Sequence, residues 1–365
     1  FFAANAAGLV PIPTSSMLSA SETAYMAEDS GAAVIVHDGT LELPPLDDAV
    51  KLIGPGDLAA FKKGSRANYA DTAARQPGYM VYTSGTSGTP KGVLHAQRAV
   101  WGRRPMYQGW YGIGPDDVML HTGAFNWTYT LGTALFDPWA NGASSIVYTG
   151  PRDRSVWLKL VNELGPTIMA SVPALYRQML ADGGISPVVM GKLRHGLTAG
   201  EAISPALMAE WHKAAGIPLY EALGMSEIST YISSSPSVPT RPGSPGKPQA
   251  GRSVAILRVD GDETPLLPGE TGLIAVHRSD PGMMLGYWNK PEETEKVWRG
   301  DWFIGGDLGQ FDDDGYVWYE GRNDDVMTSF GYRISPLEVE NALMRHPGVQ
   351  QAGVSEVELN PGVRL

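Results

Sequence analysis

Tyr82-Thr83-Ser84-Gly85-Thr86-Ser87-Gly88-Thr89-Pro90-Lys91-Gly92 follows directly on the apolar run 79–82, and from Thr83 to Thr89 every residue is Ser, Thr or Gly. Such a loop has little bulk, several hydroxyl donors and freely turning backbone N–H groups, which suits it to wrap a polyphosphate. Lys91, placed after a rigid proline, adds a positive charge at the exit of the loop. A polar surface turn would account for the glycines but not for that lysine. The pattern is not a Walker A loop, because Lys91 follows Pro90 and is followed by Gly92 instead of Ser or Thr. No G-x-G-x-x-G, H-E-x-x-H or G-x-S-x-G occurs, so dinucleotide, zincin and serine-hydrolase chemistries lack a motif.

Outward from this loop, residues 80–220 alternate short apolar runs with longer amphipathic ones, the pattern of parallel strands covered by helices. Runs 118–120, 145–148 and 167–170 read as strands. Helical spacing appears over 155–163, 173–181 and 205–215, the last two opening with proline in the first turn. After residue 233 five prolines fall between 236 and 248, where the texture changes and a linker is the bland reading among those composition allows. Beyond it, 253–259, 272–277 and 316–320 alternate polar and apolar residues between Gly/Asp turns, predicting an antiparallel, β-rich subdomain at about 240–323.

Composition narrows the function. The 365 residues carry 28 Lys+Arg against 39 Asp+Glu, a net charge of −11. No basic run is present, which argues against nucleic acid as a partner. With 43% hydrophobic residues the chain can bury a large core, and zero cysteines exclude disulfides, thiolate metal sites and cysteine nucleophiles. That usage fits a cytoplasmic setting. The longest uncharged stretch, 118–136, contains His121, Asn126, four threonines and two glycines, so no membrane span is expected there. The first residues have neither an initiator Met nor a basic leader.

The loop resembles the Ser/Thr/Gly-rich ATP signature of the adenylate-forming enzymes: acyl-CoA synthetases, aryl-CoA ligases, luciferases and adenylation domains. Further segments resemble that family's motifs in order. Thr198-Ala199-Gly200-Glu201-Ala202 is similar to its small-residue turn beside the adenine, where a purine needs close backbone approach. Glu221-Ala222-Leu223-Gly224-Met225-Ser226-Glu227 resembles its Gly-x-Thr-Glu segment, with Ser226 replacing threonine. A hydroxyl beside a carboxylate can bind an α-phosphate and its Mg²⁺, which makes Glu227 the expected metal ligand. Leu223 falls where many members place an aromatic ring against the adenine. Trp302-Phe303-Ile304-Gly305-Gly306-Asp307 resembles the segment whose aspartate holds the ribose hydroxyls. Gly321-Arg322-Asn323-Asp324-Asp325 resembles the hinge, with Arg322 on ribose and phosphate and Asp324 as pivot. Phe330-Gly331-Tyr332-Arg333 then belongs to the segment that comes over the site in the thioester-forming state.

By this resemblance the fold is α/β: a large domain of helix-flanked sheets with the β-rich subdomain, 1–323, then the start of a small, mobile α+β domain, 324–365. The cofactors implied are ATP, Mg²⁺ and coenzyme A. Lys91, Ser226 and Glu227 would be catalytic, and Thr83 to Gly88 (Thr83, Ser84, Gly85, Thr86, Ser87, Gly88), Gly200, Glu201, Ala202, Glu221, Ala222, Leu223, Gly224, Met225, Asp307, Arg322 and Arg333 would bind nucleotide. Trp127, in Phe125-Asn126-Trp127-Thr128-Tyr129, falls on the gate between acyl pocket and thiol tunnel, together with Ala199, Phe330 and Gly331.

Two departures bear on activity. Thr328 stands where the family often has a lysine after the hinge, and the chain stops before the family's C-terminal Gly-Lys, so it looks incomplete at both ends. The implied activity is AMP-forming ligation of an aromatic or short- to medium-chain acid to CoA, closest to benzoate-type ligases. An acyl-AMP ligase loading a carrier protein and a catalytically deficient nucleotide binder are the alternatives. The expected partners are the acid, ATP and CoA; the sequence leaves self-association open.

Overall fold

After helices Phe2–Ala6 and Ala20–Ser30, two short strands, β1 (Val34–Val36) and β2 (Lys51–Ile53), pair in parallel. β3 (Pro77–Thr83) and β4 (Lys91–Ala96) pair antiparallel, with Thr83 opposite Lys91, so residues 84–89 join two strands of one hairpin. This computed structural model describes all residues except 41, 42, 44, 84–89, 152, 154, 326, 330, 331, 347, 350, 351, 356, 357, 361, 362 and 365; for 327–329, 332–334, 338, 341, 358–360, 363 and 364 it describes the backbone alone.

The central sheet follows from the buried runs. β5 (Val118–His121), β6 (Ser144–Ile146), β7 (Ile168–Ser171), β8 (His195–Ala199) and β9 (Leu219–Met225) are parallel. β9 then turns back on β10 (Ser229–Ser233), which pairs with β11 (Lys247–Pro248), giving the order β11-β10-β9-β8-β7-β5-β6. Helices Val156–Leu164, Pro173–Asp182 and Pro205–Ala215 cover one face, their Trp157, Tyr176 and Trp211 packing on Leu120, Met169 and Leu219. The ends lie close to the expected ones for physical reasons. Pro173 and Pro205 start the second and third of these helices where no N–H is needed, and Gly165 and Gly216 end the first and third at φ of 58° and 73°. The opposite face buries Met106, Trp110, Tyr111, Met119 and Leu197.

The second half of the chain is antiparallel. β12 (Val254–Leu257) and β13 (Gly272–His277) pair with each other; β14 (Gly286–Tyr287) returns to β4; β15 (Trp298–Arg299), β16 (Trp302–Phe311) and β17 (Val317–Arg322) complete a five-stranded sheet with β12 and β13. One apolar cluster, with Tyr79, Val93, Tyr231, Val276, Phe303 and Val317, joins the β3–β4 hairpin, β10 and this sheet. Thr83 and Lys91, the ends of the hairpin strands β3 and β4, therefore belong to elements packed on that shared core. After a turn at 323–325 come a backbone hairpin, Met327–Ser329 with Tyr332–Ile334, and helix Pro336–Leu343.

The proline-rich stretch 236–248 is not a free linker. Ser235 and Ser244 are buried, Ser244 Oγ donates to the Val317 carbonyl and β11 pairs with β10, because serines fold the turns that prolines cannot bond. The uncharged 118–136 stretch is broken into β5, helix Thr128–Leu131 and a π-helical segment, Gly132–Phe136. Among the described residues no helix is long and apolar enough to cross a membrane.

Candidate nucleotide site

Lys91, the first residue of β4, is three-quarters or more buried along its stem and ends in a 2.7 Å ion pair with Glu293 Oε2. Its ammonium also lies 5.4 Å from the centre of the Tyr287 ring. The Tyr287 hydroxyl donates to Glu227 Oε1 at 2.6 Å, and burial beside that carboxylate pushes the phenol far above its usual range. Lys91 and Glu227, 136 positions apart in sequence, thus meet across a single ring. Glu293 Oε1 also receives Lys296 Nζ at 2.7 Å, and the two ammonium groups hold this carboxyl at about 2.

Ser226 and Glu227 sit on the turn between β9 and β10. His95 Nε2 lies 2.8 Å from the Ser226 carbonyl, and the Met284 N–H donates to the Glu227 carbonyl at 2.8 Å. Burial pushes His95 down to about 4, so at neutral pH the ring is uncharged and its Nε2–H is the donor. Gly224 is required where the hairpin closes, because a Cβ there would lie 2.6 Å from the Ser229 carbonyl oxygen. Gly305 admits this hairpin to β16: a Cβ would approach the Met225 thioether to 2.9 Å.

Asp307 and Arg322 face each other across β16 and β17, with Arg322 Nη1 3.7 Å from Asp307 Oδ1. Burial pushes the Asp307 carboxyl up to about 6, opposed by Arg322 and reinforced by the charge of Glu227. The charge of Glu227 is thus felt at Asp307. Arg322 also grips Asp324 through Nε and Nη2 at 2.9 and 3.1 Å, which holds the Asp324 carboxyl below its ordinary value.

Other residues singled out in the sequence lie differently. Thr83 is half-buried at the end of β3, and Ser84, Gly85, Thr86, Ser87 and Gly88 lie outside the described residues, as do Phe330 and Gly331. Arg333 is described by its backbone alone. Ala199 is buried at the end of β8, Gly200 turns at φ 96°, and Ala202 is exposed. Glu201 accepts from the Ala174 N–H at 3.3 Å, at the start of helix Pro173–Asp182. Glu221 is buried within β9 beside Ala222 and accepts from the Ile203 N–H at 3.1 Å, a tie under the adenine-type turn. Leu223 and Met225 are half-buried. Trp127 is 65% exposed at the start of helix Thr128–Leu131, so its indole is not locked into the core.

Sequence reasoning missed Tyr287, Glu293 and His95. Each is an ordinary residue type outside a spaced motif, and only the β4–β14 pairing brings Tyr287 to Lys91.

The residues present fit a hard divalent cation. Glu227 Oε2 receives no hydrogen bond from a described residue, and no cluster of three His, Cys, Asp or Glu among the described residues could hold a metal alone. A single carboxylate completed by phosphate oxygens is the way Mg²⁺ is commonly held.

The description "AMP-binding enzyme" is that of the family model matching residues 1–288. An uncharacterized acyl-CoA ligase of Bacillus subtilis (strain 168), YtcI, is 32% identical over 360 residues, covering 95% of this chain and 68% of that protein. The mitochondrial acyl-coenzyme A synthetase ACSM3 of Mus musculus is 33% identical over 371 residues, covering 95% of this chain and 63% of that one. This chain thus spans about two thirds of the length of these relatives, 68% and 63%. Among solved structures, O-succinylbenzoate coenzyme A synthetase (MenE) of Bacillus subtilis, in complex with ATP and magnesium ion, superposes with a TM-score of 0.84 at 26% identity, over 100% of this chain and 74% of that one.

Proposed function

The chain belongs to the AMP-binding, adenylate-forming enzymes, and from that premise we propose that it activates a carboxylic acid with ATP and passes the acyl group to coenzyme A, releasing AMP. The observation that carries this reading is the meeting of Lys91 and Glu227 at Tyr287.

In the first half-reaction a carboxylate oxygen bonds to the α-phosphorus of ATP as the bond to pyrophosphate breaks. Two anions must approach, so catalysis consists of neutralising and positioning charge. Lys91 supplies a cation at the loop exit, the Ser226 hydroxyl a donor, and Arg322 a second cation on the ribose side. Asp307 would accept from the ribose hydroxyls once ionised. Glu227, with its free oxygen, is the residue that would hold Mg²⁺, whose charge would offset that of the phosphates. In the second half-reaction the thiol gives up its proton to solvent, its sulfur bonds to the acyl carbon, and AMP leaves with the electron pair of the breaking C–O bond. No protein nucleophile is needed, in keeping with the lack of cysteine.

We assign the acid to an aromatic or short- to medium-chain class. The exposed Trp127 and the small residues Ala199, Gly200 and Gly224 support that choice, as does likeness to an O-succinylbenzoate ligase. Incubation with ATP, Mg²⁺, CoA and benzoate or hexanoate, followed by mass spectrometry, should show an acyl-CoA and AMP. Formation of ADP, or of no thioester with any acid tried, would overturn the assignment.

A further inference from the structure

The turn that carries Ser226 and Glu227 ends at Ser229, whose φ is 76°, a conformation that disfavours residues with a Cβ. Ser229 is 7% exposed, and its hydroxyl accepts from Nη1 of Arg103. Arg103 is itself buried at 3% exposure, and its Nε and Nη2 hold both oxygens of Asp137 at 2.7–3.0 Å. Asp137 is fully buried and also accepts from the Tyr111 hydroxyl at 2.8 Å, which lies 3.0 Å from Thr133 Oγ1. Space for the guanidinium comes from Gly132, where a Cβ would fall 2.0 Å from its central carbon.

A buried ion pair of this kind is a weak source of stability, because desolvation offsets much of the attraction. What it fixes is geometry. Tyr111 closes one π-helical segment, Tyr107–Tyr111, and Thr133 and Gly132 belong to another, Gly132–Phe136. Such segments recur at functional sites. The middle of the β9–β10 turn is already tied through its backbone, at the Ser226 and Glu227 carbonyls. Its exit is tied by a side chain from a separate element.

We propose that Arg103, oriented by Asp137, is a positioning residue for Glu227: by holding the Ser229 hydroxyl it fixes the end of the turn, and with it the direction in which Glu227 presents its free carboxylate oxygen. The inference rests on the reading of Glu227 as the Mg²⁺ ligand.

The two can be tested together by titrating Mg²⁺ against binding of a non-hydrolysable ATP analogue and measuring Tm without ligand. Ser229→Gly deletes the hydroxyl while suiting the positive φ, so relief of backbone strain offsets part of the cost of leaving Arg103 Nη1 without that acceptor, and its Tm is read separately. It should raise the Mg²⁺ needed for half-saturation by roughly three- to tenfold, the scale of one lost hydrogen bond. Nucleotide affinity without Mg²⁺ stays unchanged. Arg103→Met gives the same Mg²⁺ shift, with a lower Tm that is read separately. If Glu227→Gln weakens the Mg²⁺ dependence but Ser229→Gly does not, the positioning role is wrong while the metal assignment stands. If Glu227→Gln leaves the dependence intact, both are overturned.

Discussion

Glu221 and Asp307 show how one residue type acquires different duties from its surroundings. Both carboxyls are pushed up by burial, to about 7 and about 6. Asp307 has Arg322 beside it, whereas the described partner of the Glu221 carboxylate is the Ile203 N–H. A carboxyl raised on folding favours the folded state fully below its unfolded value, near 4.5 for Glu221, and that contribution is lost as pH rises through about 7. Glutamine keeps the acceptor oxygen and cannot ionise. Glu221→Gln should therefore melt higher than the native protein at pH 8, with the gap narrowing at pH 5; melting curves showing no gap at pH 8 would refute the buried-charge account. The motif in the sequence placed Glu221 near the site, but only the fold shows it lying under the adenine-type turn. A short resemblance fixes position along a strand, not which way the side chain is used.

At the scale of elements, the three covering helices were legible because proline and glycine mark their ends and apolar spacing marks their buried face. The π-helical segments at Tyr107–Tyr111 and Gly132–Phe136 were not, since one extra residue per turn leaves no periodic signal over five positions. Nor was the role of helix Pro291–Lys296, whose Glu293 comes to Lys91 only through the pairing of β14 with β4. This helix makes a prediction of its own. If phosphate takes the Lys91 ammonium as proposed, it competes with Glu293, so Glu293→Gln should tighten ATP-analogue binding modestly, by less than about tenfold as expected for a partly exposed pair. Calorimetric titration showing weaker binding would mean that Glu293 orients Lys91 instead of restraining it.

For the molecule as a whole, the three sheets share a core, so the loop hairpin, the β9–β10 turn and the Asp307–Arg322 pair form one rigid frame. Past that frame the described links include Arg322 to Asp324, the Asn323 N–H donating to the Gly306 carbonyl at 2.7 Å, and Ser335 Oγ donating to the Glu320 carbonyl at 2.8 Å. We propose that the chain turns about Asp324, as its resemblance to the family's hinge implies, a domain-hinge motion in physical terms. Asp324→Pro should then slow thioester formation more than adenylate formation when the two half-reactions are timed separately. Equal losses in both would count against a pivot at this position.

The central claim is that Glu227 and Lys91 frame a site where ATP activates a carboxylic acid. Acid-dependent exchange of labelled pyrophosphate into ATP measures that step alone, whatever thiol comes after it. The account predicts exchange with benzoates or short- to medium-chain acids, lowered at least about tenfold by Glu227→Gln and by Lys91→Ala, as removal of a charge acting on the transition state implies. Nucleotide binding with no exchange under any acid, or exchange untouched by both substitutions, would contradict it.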